Sequence, residues 1–117
     1  GMSGAEGWGL PEFQSTALGK HAVILNATSY KDWATPENST LVEPNGKIDS
    51  EDGMFFKKGN PFNQGQIYDF NEDEFINGCE KAVERYKESP VNTEGLKLQE
   101  QFPYSTTAEQ ITNIINA

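Results

Sequence analysis

Ala22-Val23-Ile24-Leu25 is an unbroken apolar run between Gly19 and Asn26. Periodicity cannot name a run that short. Its length and flanks predict a fully buried strand of the kind found in parallel sheets. Upstream, Pro11 suits the first turn of a helix, where its missing N–H costs nothing, and Gly19 suits the C-terminal stop. A short helix through Phe13, Ala17 and Leu18 is therefore expected after the Gly- and Ser-rich loop 3–9. Downstream, Phe75, Ile76, Cys79, Ala82, Val83 and Tyr86 recur at helical spacing and predict an amphipathic helix over 72–88. Asn71 is its expected N-cap, Glu72, Asp73 and Glu74 suit its positive end, and Pro90 closes it.

The remaining elements are shorter. A brief helix is expected around Tyr30 to Trp33, ended by Pro36. Thr40 to Glu43 and Met54 to Phe56 read as strands, with Pro44-Asn45-Gly46 as a turn and Asp49 to Asp52 as an acidic loop. Residues 57–66 read as a long loop and Gln66 to Phe70 as a brief extended segment. A further helix is expected over Thr93 to Gln101, with a break at Phe102-Pro103-Tyr104. Thr106 and Glu109 match a capping box that opens a last helix with Ile111, Ile114 and Ile115 on one side. Helix, strand and Gly loop in this order predict an α/β chain, 117 residues being enough for a single domain over 1–117.

Composition narrows the function classes. Eighteen acidic and nine basic residues leave a formal charge of −9. Such a surface repels phosphate backbones, so nucleic acid is an unexpected partner. An anionic small ligand remains possible, because backbone amides at a helix start can hold one. A single cysteine, Cys79, excludes a disulfide framework and a thiolate metal cage. With no signal peptide and no apolar run near eighteen residues, no membrane span and a cytoplasmic location are expected. Gly1 before Met2 has the look of an expression scar and is left out of the expected fold.

The candidate chemistry lies in Glu6-Gly7-Trp8-Gly9-Leu10-Pro11-Glu12-Phe13-Gln14. An acidic residue and two glycines are delivered onto a helix N-terminus. Gly7 and Gly9 let a ligand approach the backbone, first-turn amides can hold a pyrophosphate, and Glu6 can accept from sugar hydroxyls. Gln14, one to two turns in, can reach a ribose. A ligand-free Gly-containing turn is the competing reading, since such turns are common before helices.

This segment resembles the E-G-[FY]-G-L-P-x-x-E-A-x-A-x-G-x-P-V-I signature of retaining GT-B glycosyltransferases, aligned without gaps from Glu6 to Val23. Phe102-Pro103-Tyr104-Ser105-Thr106-Thr107-Ala108-Glu109-Gln110-Ile111 resembles the closing F-[ST]-W-x-x-[AT]-A-x-x-[IL] helix of the same family. The resemblance implies a partial Rossmann-like fold: the C-terminal portion of a donor domain, with a few-stranded sheet and three to four helices. It implies glycosyl transfer from a nucleotide sugar to an unknown acceptor, with no metal and no further cofactor. It assigns the transferred sugar to Glu6, the sugar and phosphates to the Gly7-Trp8-Gly9-Leu10 backbone, and the ribose to Gln14. Gln14 stands where the family has Glu and lacks its charge-assisted bond. His21 replaces a Pro, and Ser15-Thr16 a small apolar pair.

An acceptor domain and the basic residues that neutralise the leaving diphosphate are not found in the chain. Little or no transferase activity is expected of it alone. Two alternatives stay open: a binding module that lost catalysis, and a self-associating structural module. A half domain leaves a strand edge and a helix-packing face uncovered, so a homo-oligomer is expected. Among other residues, His21 and Cys79 read as structural and Asp49 to Gly53 as a solvated tip rather than a calcium loop. Lys57-Lys58 is too small for a phosphate site. Trp33, Phe55, Phe56, Phe62, Tyr68 and Phe70 read as core rather than a sugar-stacking platform.

Overall fold

A computed structural model describes residues 1–51, 54, 56 and 65–117. The chain is mixed α/β. Helix α1 (Leu10–Ala17) leads to strand β1 (Val23–Leu25), a 3-10 turn (Thr28–Asp32) and strand β2 (Thr40–Val42). Strands β3 (Lys47–Asp49) and β4 (Gln66–Tyr68) follow. Helices α2 (Glu72–Glu88), α3 (Thr93–Leu96), α4 (Leu98–Gln101) and α5 (Tyr104–Ile115) complete the order.

β1 and β2 pair in parallel, with Val23 opposite Thr40 and Leu25 opposite Val42. The expectation of a buried parallel strand holds: Ile24 and Leu25 are fully buried. The strand expected at 40–43 also forms, as Thr40–Val42. β2 belongs beside β1, because Thr40 and Val42 are buried and need cover that a solvent hairpin would not supply. The acidic loop expected at Asp49 instead ends β3, antiparallel to β4 with Ile48 opposite Ile67. Met54 and Phe56 lie outside any strand, and Phe56 is exposed rather than in the core. Phe55, Phe62, Lys57-Lys58, Asp52 and Gly53 lie outside the described residues.

Gly1 also departs from expectation. Its amine donates to the Val23 carbonyl at 2.8 Å, and its carbonyl accepts from the Leu25 amide at 2.8 Å. It thus continues the ladder on the edge of β1 away from β2. Tyr30, Trp33, Ala27, Ala34, Ala17 and Leu98 close the small core around β1.

α2 forms where expected, with the Asn71 side chain accepting from the amides of Asp73 (2.9 Å) and Glu74 (3.2 Å). Half of its expected apolar face turns inward, with Phe75, Cys79 and Ala82 half-buried, and half does not. Ile76, Val83 and Tyr86 are all more than half exposed. The helix meets the sheet through Gly78, where an added Cβ would lie 3.0 Å from Val42 Cγ2 and 3.1 Å from Val23 Cγ1. Arg85, on the same side, donates to the carbonyls of Pro36 (3.3 Å) and Glu37 (2.5 Å). Glycine lets the helix sit close, while Ile76, Val83 and Tyr86 point outward.

The expected helix 93–101 is two short ones, because Asn92 caps α3 and the chain restarts at Lys97. α5 opens at Tyr104, two residues before the expected capping box, with no side-chain cap and no buried residue. Asn92 is the main polar tie. Its Nδ2 donates to the carbonyls of Lys20 (3.0 Å) and Asn38 (2.6 Å), and its Oδ1 accepts from the Gly95 amide (3.1 Å). The radius of gyration is 17.0 Å, against about 13 Å for a compact chain of this length. Helical faces therefore stand away from the core. No helix among the described residues is long and apolar enough to cross a membrane.

Candidate donor-binding turn

α1 starts because Gly9 turns the chain onto it. Gly9 has φ 77 and ψ 54, the left-handed region where a Cβ is strained. A Cβ there would also overlap the Tyr30 ring. The Phe13 amide donates to the Gly9 carbonyl at 2.9 Å, closing the first turn. Trp8 is anchored on both sides: its carbonyl accepts from the Trp33 indole at 2.9 Å. Its ring packs edge-on against Phe13 (5.5 Å) and Phe102 (5.2 Å). Phe13 in turn stacks edge-on with Trp33 (5.4 Å). These contacts hold the turn rigidly.

Gly7 differs from Gly9. It is exposed, its φ is not positive, and an added Cβ would meet nothing within 4 Å. Neither backbone geometry nor packing explains a glycine there. The backbone at Gly7 is open to solvent. Glu6, beside it, is exposed, as are Leu10 and Gln14 on α1. The turn therefore brings Glu6, Gly7 and the α1 N-terminus together. Trp8 contributes backbone only, since its ring belongs to the aromatic cluster. Gln14 lies one turn and more along the helix, with its side chain in solvent.

Sequence reasoning missed the groups behind this turn. Thr28 Oγ1, Ser29 Oγ and Tyr30 Oη are buried and make no hydrogen bond among the described residues. They follow the carboxyl end of β1, the end of a parallel sheet where ligands bind in open α/β folds. Thr28 also holds φ 49, an uncommon value for a β-branched residue. Burial raises the Tyr30 phenol above its ordinary value, and the charges of Glu12 and then Glu6 add to the rise. The Ser3 backbone opposes this only weakly, without a hydrogen bond of normal geometry to Tyr30 Oη. Three adjacent polar residues after a strand are an ordinary loop in sequence; only burial without partners marks them.

Electrostatics limits what the turn can hold. Glu12 sits in the first turn of α1 and its carboxylate points back at Gly9 and Gly1. It occupies the positive end of the helix dipole, where a phosphate would otherwise gain.

The other candidates are structural. His21 Nε2 lies 2.6 Å from the Ser89 carbonyl, which places a proton on Nε2 and ties the entry of β1 to the end of α2. Cys79 is half-buried on α2. Asp49 accepts from Gln66 Nε2 at 3.3 Å. No group of three metal-ligating side chains occurs among the described residues. Trp33 is core, and Tyr68 and Phe70 pack against it.

Comparison of the chain with protein-family models, with curated proteins and with solved structures finds no match.

Proposed function

We propose that this chain is the sugar-recognising C-terminal portion of a Rossmann-like donor domain, of the kind retaining GT-B glycosyltransferases use to hold a nucleotide sugar. The observation that carries the reading is Gly7. It is a glycine with open space where its Cβ would be, between the exposed carboxylate of Glu6 and the fixed turn at Gly9. Glu6 accepts hydrogen bonds from sugar hydroxyls, and the Gly7 to Leu10 backbone takes the closest approach. Thr28, Ser29 and Tyr30 supply buried hydroxyls with unused hydrogen-bonding capacity. The diphosphate is held weakly, because Glu12 competes at the α1 N-terminus and Lys20 lies beyond the other end of that helix. Catalysis by this chain alone is negligible for the same reason: a leaving diphosphate needs preorganised positive charge.

The test is calorimetry with uridine, guanosine and adenosine diphosphate sugars and with the bare diphosphates. One nucleotide sugar is expected to bind saturably and more tightly than its bare diphosphate. Glu6→Gln and Gly7→Val should remove binding without moving the urea midpoint. Absence of binding to every donor in the panel, or tighter binding of the bare diphosphates, overturns the reading.

A further inference from the structure

The chain holds two Asn-Gly pairs, Asn45-Gly46 and Asn77-Gly78. In such a pair the glycine nitrogen can attack the asparagine side-chain amide, because no Cβ shields it. The fold treats the two pairs differently. Asn45 and Gly46 are exposed, in the connection between β2 and β3. The Asn45 N–H donates to the Asp69 carbonyl at 2.8 Å, and the Asp69 N–H donates to the Gly46 carbonyl at 3.0 Å. Two residues thus oppose one, the arrangement of a β-bulge, which leaves the Gly46 N–H out of the ladder. Gly46 holds φ 101, and an added Cβ there would meet nothing within 4 Å. Asn45-Gly46 therefore has an unshared nitrogen, room for a ring and water beside it. Gly78 lies inside α2, where its N–H belongs to the helical ladder. It is also buried against Val23 and Val42. Freeing its nitrogen means opening the helix.

We propose that Asn45 is a modification site: it deamidates spontaneously through a ring closed by Gly46, while the fold protects Asn77. The Gly46 nitrogen loses its proton to hydroxide and forms a bond to Asn45 Cγ. The Asn45 side-chain nitrogen leaves as ammonia, taking a proton from water, and a cyclic imide remains. Water then breaks either of the two imide C–N bonds. One cleavage gives aspartate. The other gives isoaspartate, in which the main chain runs through the side-chain carboxyl. The sum is asparagine plus water going to aspartate or isoaspartate plus ammonia, with no oxidant or reductant. Either product puts a new negative charge across the ladder from Asp69. Isoaspartate also adds a carbon to the main chain between the Asn45 N–H and the Gly46 carbonyl, the two groups that Asp69 bridges. The change therefore loosens the end of the β3–β4 ladder. β4 in turn supports the segment ahead of Glu6, since the Tyr68 N–H donates to the Gly4 carbonyl at 3.1 Å.

Peptide mapping by mass spectrometry tests this on the full chain, incubated folded in mildly alkaline buffer and sampled over time. Trypsin cuts after Lys47, so Asn45 and Asn77 fall in different peptides. Fragmentation locates the change within each peptide and separates isoaspartate from aspartate. Asn45 should convert at least about tenfold faster than Asn77, the ratio that a helix-opening cost of about 1.4 kcal/mol imposes. Both aspartate and isoaspartate should appear at Asn45. In urea above the unfolding midpoint the lead of Asn45 should vanish, because both glycine nitrogens are then free. Equal rates in the folded chain, a lead for Asn77, or a lead for Asn45 that persists in urea would overturn the proposal. So would aspartate without isoaspartate, which would mean direct hydrolysis of the side chain rather than ring closure through Gly46.

Discussion

Replacing Gly9 and Gly7 by alanine separates a glycine the fold needs from one it does not. Gly9 holds φ 77, and the left-handed region costs an alanine about 1–2 kcal/mol. The new Cβ would also overlap Tyr30. That ring is fully buried and edge-on to Trp33 at 6.2 Å, so it cannot swing aside. Overpacking of this kind costs about 1–3 kcal/mol more. Gly9→Ala should therefore destabilise by roughly 2–5 kcal/mol, a large share of the stability of a small domain. Gly7→Ala meets no atom and no positive φ. It should be neutral, or stabilising by up to about 1 kcal/mol through the unfolded chain. Urea unfolding followed by tryptophan fluorescence suits both variants, because Trp8 and Trp33 lie in the affected cluster. The midpoints should part while the slopes agree. A loss below about 1 kcal/mol for Gly9→Ala, or an equal loss for Gly7→Ala, would refute the assignment of Gly9 to packing and Gly7 to open approach.

Tyr30→Phe removes a buried hydroxyl that has no partner, so stability should hold or rise by about 1 kcal/mol. Because burial raises the Tyr30 phenol, the folded chain keeps a proton that the unfolded chain loses above about pH 10, and stability falls as pH rises further. That alkaline fall should weaken in Tyr30→Phe; an unchanged fall locates it elsewhere. The Gly1 amine is held below its ordinary value, chiefly by burial, so the folded chain binds fewer protons than the unfolded one between the two values. Stability should rise with pH up to about 8 and level off above, a rise that N-terminal acetylation abolishes in thermal melts. Asn92→Asp turns a donor facing two carbonyls into a carboxylate. It should cost about 3 kcal/mol or more by urea unfolding, and a neutral effect would remove Asn92 as the tie between α3 and the segments at Lys20 and Asn38.

Where local chemistry decides an element, the chain was legible. Pro11 and Gly19 bracket α1, Asn71 caps α2, and the 22–25 run is buried beside a parallel neighbour. Where long-range contact decides, it was not. Periodicity marks Ile76, Val83 and Tyr86 as one face of α2 but cannot say that Gly78 faces the sheet. A glycine contributes nothing to an apolar pattern, yet it sets the closest approach to Val23 and Val42. Lys47-Ile48-Asp49 offers a single apolar residue, too little to predict β3, and its partner β4 is distant in sequence. Thr106 and Glu109 match a capping box, but Pro103 already sets an extended residue three positions before the match, and the helix begins at Tyr104. At the candidate site, the turn at Gly9 was legible, because a glycine ahead of a Pro-led helix marks it. The buried hydroxyls of Thr28 to Tyr30 were not, since an unmade hydrogen bond leaves no mark in sequence.

The turn at Glu6 and the outer face of α2 are built on separate supports, and that constrains how they can influence one another. α1 packs with α3 and α4, whereas α2 packs on β1 and β2. The shared element is β1, whose Ile24 and Leu25 are fully buried and have no room for a second arrangement. Coupling between sites needs an element with two discrete states that both ligands bias. A three-residue strand paired on one edge by β2 and on the other by Gly1 is a poor candidate. Donor affinity should therefore be the same in wild type and in Val83→Glu. Distant substitutions with no common partner add within about 0.5 kcal/mol. An affinity change of more than about fivefold, roughly 1 kcal/mol, would mean that the outer face of α2 is coupled to the turn.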